Sequence, residues 1–91
     1  MQVTVHQTPN PNARKFVVAG HRFAQPLNFP SADAAALHPL ASRLFALPGV
    51  YNVFHVADFV TVNKLPDVAW DELEATAAGV IESFLAGDMQ E

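Results

Sequence analysis

A chain of 91 residues, 51% of them hydrophobic, is long enough for one packed domain and no more. Five Lys and Arg residues against nine Asp and Glu give a net charge of −4, which argues against nucleic acid as a partner, because phosphate binding needs a basic surface. The sequence contains no cysteine, which excludes disulfides, thiolate metal ligands and a thiol nucleophile. It contains neither a long apolar run nor a secretory signal pattern, so no membrane span and a cytoplasmic location are expected.

Strand patterns dominate the first third of the chain. Residues 2–7 alternate polar and apolar, as a half-buried strand does, and residues 15–19 predict a second strand. Between them the TPNPN segment at 8–12 predicts a rigid loop, because Pro removes backbone donors and Asn favours turns. Residues 21–30 are irregular, with a short edge strand expected near 27–29.

A helical turn, a helix and a hairpin are predicted next. Ser31 can cap a short helical turn, because its hydroxyl can accept a hydrogen bond from a free backbone N–H. The first main helix begins at Pro39, since Pro is tolerated in the first turn, and the helix has ended by Gly49. Strands over 50–56 and 59–65 then flank a tight two-residue turn.

The last predicted helix is the clearest element. Its apolar residues recur at the spacing of an amphipathic helix: Trp70, Leu73, Ala77, Ile81, Phe84 and Leu85. Gly79 inside this helix suggests close packing there, since Gly otherwise lowers helix stability. The order β-β-α-β-β-α predicts an α+β fold: a two-layer α/β sandwich in which one largely antiparallel sheet carries two helices on one face.

A two-layer fold leaves one face of the sheet in solvent, and that face is a candidate binding surface. Strand alternation places on it Thr4, His6, Lys15, Val17, Phe59, Thr61 and Asn63. The strand over 50–56 is ambiguous, since either of its two sides can be the buried one. Two alternatives remain for the open face: Phe59 and its polar neighbours bind a partner, or the loop over 21–30 covers Phe59.

The loop at 8–12 and the two cations after it form the other candidate surface. Its amides and cations could bind an anion, such as a carboxylate or phosphate on a partner. The alternative is that these residues only turn the chain, which Pro and Asn also favour. The candidate partner-binding residues are therefore Thr8, Asn10, Asn12, Arg14, Lys15, Phe59 and Thr61.

Catalytic and metal-binding patterns are missing from the sequence. The four histidines lie on different predicted elements and lack the spacing of a local metal site. No serine lies in a strained elbow, and the four glycines form no phosphate-binding loop. The sequence therefore predicts no catalytic, cofactor-binding or metal-ligating residues, and no enzyme.

Several short motifs follow one another along the chain: TPNPN at 8–12, KF at 15–16, PLA at 39–41, RLF at 43–45, PGV at 48–50, DFVTV at 58–62 and WDEL at 70–73. Together, and in this order over nearly the whole chain, they resemble the N-terminal domain of Nfu/NifU-type iron–sulfur cluster scaffold proteins. The resemblance implies a domain over residues 1–86, followed by a short tail at 87–91.

In that family the domain is typically joined to a C-terminal domain whose C-x-x-C motif holds the cluster. Since this sequence has no cysteine, the resemblance implies a stand-alone accessory or docking module, which takes part in cluster assembly or delivery by protein contact and binds no cofactor. The expected partners are an Nfu-type cluster carrier or an apo iron–sulfur client protein, with neither nucleic acid nor membrane. Two alternatives remain open: a small-anion or phosphopeptide-binding domain using the loop over residues 8–15, and an enzyme.

Overall fold

The computed structural model describes residues 3–18 and 26–85 of the chain. The strands are β1 (Val3–Gln7), β2 (Ala13–Val18), β3 (Leu27–Phe29), β4 (Val50–Val56) and β5 (Phe59–Lys64), and the helices are α1 (Ala32–Ala35), α2 (Pro39–Phe45) and α3 (Trp70–Leu85). The predicted tail at 87–91 and residues 21–25 of the predicted loop lie outside the described ranges.

One antiparallel sheet contains all five strands in the order β1-β2-β5-β4-β3. Two hairpins, β1–β2 and β4–β5, join in the middle of the sheet where β2 pairs with β5. The helices and one face of the sheet share a single apolar core. The predicted α+β fold is therefore confirmed, with α1 as an additional short helix and β3 as the predicted edge strand.

The starts of the first two helices follow from local capping. The Ser31 hydroxyl accepts a hydrogen bond from the Ala34 N–H at 3.2 Å, and His38 Nδ1 accepts one from the Ala41 N–H at 3.3 Å. Pro39 lies in the first turn of α2, where a missing N–H breaks no helical hydrogen bond. These contacts fix where α1 and α2 begin against the sheet.

The core lies between the sheet and the helices. Its fully buried residues are Phe16, Val18, Val53, Val60 and Val62 from the strands, and Ala35, Leu40, Ala41, Leu44, Ala77 and Ile81 from the helices. Burial of each large aliphatic or aromatic side chain contributes about 1.5–3 kcal/mol to folding. Phe84, predicted on the buried stripe of α3, is only partly buried. None of the described helices is long and apolar enough to cross a membrane.

A β-bulge in β4 explains why its buried side was ambiguous in the sequence. Val50 and Asn52 are paired with successive residues of β5, so Tyr51 is an additional residue without a ladder partner. The bulge breaks the period of two and turns Val50 and Val53, three positions apart, toward the core. His55 follows Val53 on the same side and is fully buried.

Gly49 lies in crowded surroundings, whereas Gly79 has open space beside it. Gly49 has φ of 89°, and a Cβ atom there would lie 2.6 Å from Cγ2 of Val68. Gly79 lies within α3, and a Cβ atom there would have no neighbour within 4 Å. The expectation that Gly79 marks close packing is therefore wrong, whereas Gly49 is required by both its backbone and its neighbour.

The two borders of the sheet also differ. β3 has three residues and lies between Pro26 and Pro30, so its free edge is short and flanked by residues without an N–H. β1 has five residues, and its sequence, VTVHQ, contains neither proline nor an Asp, Glu, Lys or Arg side chain. Short edges and prolines hinder the addition of a further strand.

Candidate functional site

The predicted site residues lie on two different sides of the sheet. Arg14 and Lys15 are consecutive in β2, so their side chains point to opposite faces. Arg14 is paired with Val62 and contacts Glu74 of α3, whereas Lys15 is paired with Thr61 on the other face. The structure therefore separates the two cations instead of joining them in one site.

The first two polar residues of the loop between β1 and β2 bond to the loop itself. The Thr8 hydroxyl lies 2.8 Å from the carbonyl oxygen of Asn10 and 3.1 Å from that of Ala13, and it accepts a hydrogen bond from the Asn10 N–H. Asn10 Oδ1 accepts a hydrogen bond from the Asn12 N–H at 2.9 Å. These are turn-stabilising contacts of the kind that Thr and Asn side chains form with nearby backbone.

Asn12 is bound to a buried lysine. Lys64 is only 5% exposed, and its Nζ donates to Asn12 Oδ1 at 3.1 Å and to the Leu65 carbonyl at 3.3 Å. The same Nζ lies 5.7 Å from the centroid of the Trp70 ring, and Trp70 Nε1 donates to the Pro11 carbonyl at 3.0 Å. Asn12 thus supplies one of two internal acceptors, with the Leu65 carbonyl, for this buried ammonium group.

Arg14 completes this cluster from the strand side. Its guanidinium donates to Glu74 Oε1 at 2.6 Å and lies 5.3 Å from the centroid of the Trp70 ring. A polar hollow of about 190 Å³ beside the loop is lined by Arg14 but not by Lys15. The two cations proposed for anion binding are therefore not turned into one hollow.

Sequence reasoning did not assign Lys64, Trp70 and Glu74 to this region. One signal was available for Lys64, because it continues the alternation of Val60 and Val62 toward the buried side. No local pattern indicates that Glu74, sixty positions from Arg14, would be its partner.

The face of the sheet opposite the helices, called the outer face below, has a different character. Its residues in the described strands are Thr4, His6, Ala13, Lys15, Val17, Asn28, Asn52, Phe54, Val56, Phe59, Thr61 and Asn63. Lys15 Nζ lies 4.2 Å from the centroid of the Phe59 ring, a cation–π contact. Val17 is paired with Phe59, and Lys15 with Thr61, so apolar and polar groups alternate across the two central strands.

The carboxylates of the described residues lie outside the strands that form the outer face. None of the five strands contains Asp or Glu. The described acidic residues are in helices, turns and loops: Asp33, Asp58, Asp67, Asp71, Glu72, Glu74 and Glu82. Over the two described ranges, Arg14 with Glu74 is the one ion pair within 4 Å, so Lys15 has no carboxylate partner there.

Two histidines meet beneath β3 and β4. The ring of His55, which is fully buried, lies 4.9 Å from that of His38 and 5.4 Å from that of Phe29, measured between centroids. No group of three His, Asp or Glu side chains that could hold a metal ion occurs in the described part of the chain. The pair therefore belongs to the aromatic packing of the core, with His38 also capping α2.

The fold and its two surfaces define a small α+β domain built on a five-stranded antiparallel sheet. The family model of the scaffold protein Nfu/NifU N terminal matches residues 3–88, and the chain belongs to this family. A NifU-like protein from Saccharomyces cerevisiae, solved by NMR, superposes with a TM-score of 0.80 at 25% identity, over 93% of this chain and 78% of that one. The predicted resemblance is thereby confirmed.

Relatives of known name are about three times as long. NifU-like protein 5, mitochondrial, of Arabidopsis thaliana is 37% identical over 92% of this chain and 31% of its own length. The human protein NFU1 iron-sulfur cluster scaffold homolog, mitochondrial, is 34% identical over 98% of this chain and 36% of its own length. The chain thus spans about a third of the length of the curated relatives it matches.

The comparison overturns the predicted cytoplasmic location, because both of these relatives are named as mitochondrial. The prediction depended on the missing apolar region of a secretory signal. That criterion does not address mitochondrial import, since mitochondrial transit peptides are amphipathic and Arg-rich and have no such region.

Proposed function

We propose that this chain is a docking module of iron–sulfur cluster assembly or delivery, which binds a protein partner through the outer face of its sheet. Family membership is the basis for the proposed process, iron–sulfur cluster assembly or delivery, and the outer face is the proposed docking surface. A cluster carrier of the Nfu type and an apo iron–sulfur client protein are the partners with which we expect contact.

The observation that supports this proposal is the difference between the contacts of Arg14 and those of Lys15. Arg14 is held by Glu74 and the Trp70 ring, so a partner would first have to displace an internal ion pair. Lys15 lies over Phe59 without a carboxylate partner among the described residues, so it is available for an external one. Exposed cations over aromatic rings at a sheet surface are suitable anchors for a protein contact.

The loop over residues 8–12 is assigned a structural role in this proposal. Thr8, Asn10 and Asn12 use their side-chain oxygens within the loop or on Lys64. A phosphate or phosphopeptide bound there would have to break those hydrogen bonds. Its one nearby guanidinium, that of Arg14, is already paired with Glu74. The anion-binding alternative is therefore less favoured than docking through the outer face.

Cluster binding and catalysis are not part of the proposed role. Iron–sulfur clusters are held mainly by cysteine thiolates, and the sequence has no cysteine. The human relative is named as a scaffold and not as an enzyme. The proposed contribution of this chain is contact with a carrier or with a client protein, with the cluster as cargo of the carrier.

The proposal is tested by NMR titration of the ¹⁵N-labelled chain with a purified C-x-x-C carrier domain and, separately, with an apo iron–sulfur client. We expect amide shifts that cluster on the outer face around Lys15, Phe59 and Thr61, and weaker binding by Phe59→Ala. Phe54→Ala provides a second outer-face variant at a neighbouring position of β4.

Leu37→Ala is the matched control, because Leu37 is 95% exposed and lies in the helical layer, away from the outer face. This variant should fold and bind as the parent does. Shifts confined to the loop over residues 8–12 would move the docking surface to that loop. The absence of any shift with both proteins at high concentration would remove the proposed role.

A further inference from the structure

The outer face combines an apolar patch of Val17, Phe54, Val56 and Phe59 with Thr, Asn and His side chains and a single Lys, whose charge is opposite in sign to the net charge of the chain. The chain carries a net charge of −4, yet no Asp or Glu occurs in any of the five strands. In contrast, α3 has Asp71, Glu72, Glu74 and Glu82 and neither Lys nor Arg. The helical side also carries Arg14, Arg43 and Lys64, and Arg14 pairs with Glu74; the outer face is therefore distinguished by a cation that has no carboxylate within 4 Å among the described residues, which favours an acidic partner.

Lys15 is placed to contribute more than long-range attraction. Its ammonium lies over the Phe59 ring at 4.2 Å, in a region where Val17 and Phe54 are also half-buried. A partner that covered this region would remove water from the ammonium, and a cation without water needs an acceptor. The ring face gives partial compensation only, and the described residues offer no carboxylate within 4 Å.

We propose that the outer face binds a protein surface that places a carboxylate, flanked by apolar side chains, on Lys15. This inference rests on the proposed docking function and names the chemistry of the partner. The carboxylate accepts from Lys15 Nζ, and the apolar side chains pack on Val17, Phe54 and Phe59. Besides Glu74, which is paired with Arg14, α3 carries three carboxylates. They disfavour binding of the same acidic partner at α3, so the partner binds at the outer face.

The composition of the outer face also decides against two other classes of partner. A nucleic acid or an anionic membrane surface is bound by several cations acting together. The outer face contains Lys15 as its one Lys or Arg within the described strands. One cation at the border of an apolar patch, with His6 and Thr61 as its cross-strand neighbours, matches a single carboxylate of a protein partner.

The test uses three synthetic peptides with one common framework, in which leucines alternate with Glu, Gln or Lys. Generic electrostatics favour the Lys peptide, because the chain is acidic, so a preference for the Glu peptide would report a local site. We expect the Glu peptide to shift the amides of Lys15, Phe59 and Thr61 and to bind roughly three- to tenfold more tightly than the Gln peptide, as one ion pair at a contact allows.

Lys15→Gln should abolish the difference between the Glu and Gln peptides. Arg43→Gln is the matched control, because it changes the net charge equally at an exposed position of α2 and should leave that difference intact. Added salt should weaken the Glu peptide more than the Gln peptide. Circular dichroism establishes that both variants remain folded.

Equal binding of the Glu and Gln peptides, shifts away from the outer face, or an unaltered preference in Lys15→Gln would each overturn the carboxylate inference. The carrier titration distinguishes this failure from failure of the docking function. If the carrier binds the outer face and Lys15→Gln binds equally well, docking stands and the carboxylate inference fails. If neither carrier nor client binds, the docking function fails, whatever the peptides do.

Discussion

Replacement of Gly49 by alanine tests the close contact between the turn after α2 and the loop before α3. Gly49 has φ of 89°, and an added Cβ atom would lie 2.6 Å from Cγ2 and 2.9 Å from Cγ1 of Val68. Val68 is itself fixed by its N–H, which donates to the Leu65 carbonyl, while the Leu65 N–H donates to the Gly49 carbonyl. The two segments are therefore bonded to each other, and neither can retreat freely.

The expected loss of stability has two parts. A left-handed backbone costs an L-residue about 1–2 kcal/mol, and the overlap with Val68 adds about 1–3 kcal/mol, as overpacked cores do. The sum, about 2–5 kcal/mol, is large for a domain of this size, whose total stability is expected at about 5–14 kcal/mol. Urea unfolding followed by circular dichroism measures the difference directly.

A double-mutant cycle separates the two parts. Val68→Ala removes the methyl groups at 2.6 and 2.9 Å from the new Cβ and leaves Val68 Cβ at 3.0 Å, so most of the steric part of the Gly49→Ala cost, about 1–3 kcal/mol, should disappear in that background, while the backbone part remains. Gly79→Ala is the control: nothing lies within 4 Å of its added Cβ, and the change should stabilise α3 by up to about 1 kcal/mol. A Gly49→Ala cost below about 1 kcal/mol, or no coupling to Val68, would refute the steric reasoning.

Three further predictions concern the core, the ion pair and the hairpin turn. Phe16→Ala should cost about 3–5 kcal/mol in urea unfolding, and Phe84→Ala clearly less, because Phe16 is fully buried and Phe84 only partly; equal costs would contradict this order. Glu74→Gln should cost about 0.2–1 kcal/mol, since both partners of the Arg14 ion pair remain partly exposed, and the difference should shrink in concentrated salt. Ala57→Gly should raise the thermal midpoint, with a gain of up to about 1 kcal/mol, because Ala57 has φ of 51°; a lowered midpoint would show that the turn is not strained.

The sequence predicted the elements that depend on local periodicity. The spacing of Trp70, Leu73 and Ala77 placed α3, and the alternation in β2 and β5 assigned their buried sides. These features succeed because a helix or strand repeats regularly wherever one side is buried. The two-layer arrangement then follows, since each element must bury its apolar side against another.

The features that the sequence did not predict depend on breaks in periodicity or on contacts between residues far apart in the chain. The bulge at Tyr51 shifts the alternation of buried and exposed residues in β4, and no residue pattern in the sequence indicates such an insertion. The ion pair of Arg14 with Glu74 joins residues that the sequence treats as unrelated, so the doublet of Arg14 and Lys15 was interpreted as one candidate site. The tertiary structure assigns the first cation to internal contacts and leaves the second without a carboxylate partner among the described residues.

The unequal borders of the sheet limit how far two or more copies could associate by strand pairing. Among the described strands, β1 alone offers an edge of five residues without proline, whereas β3, at the other border, lies between Pro26 and Pro30. Two copies joined along β1 would expose β3 at both ends of a ten-stranded sheet, and a third copy would find no comparable edge. Self-association by this route would therefore stop at a dimer and could not grow into a fibre; light scattering over a concentration series that showed larger species in solution would contradict this limit.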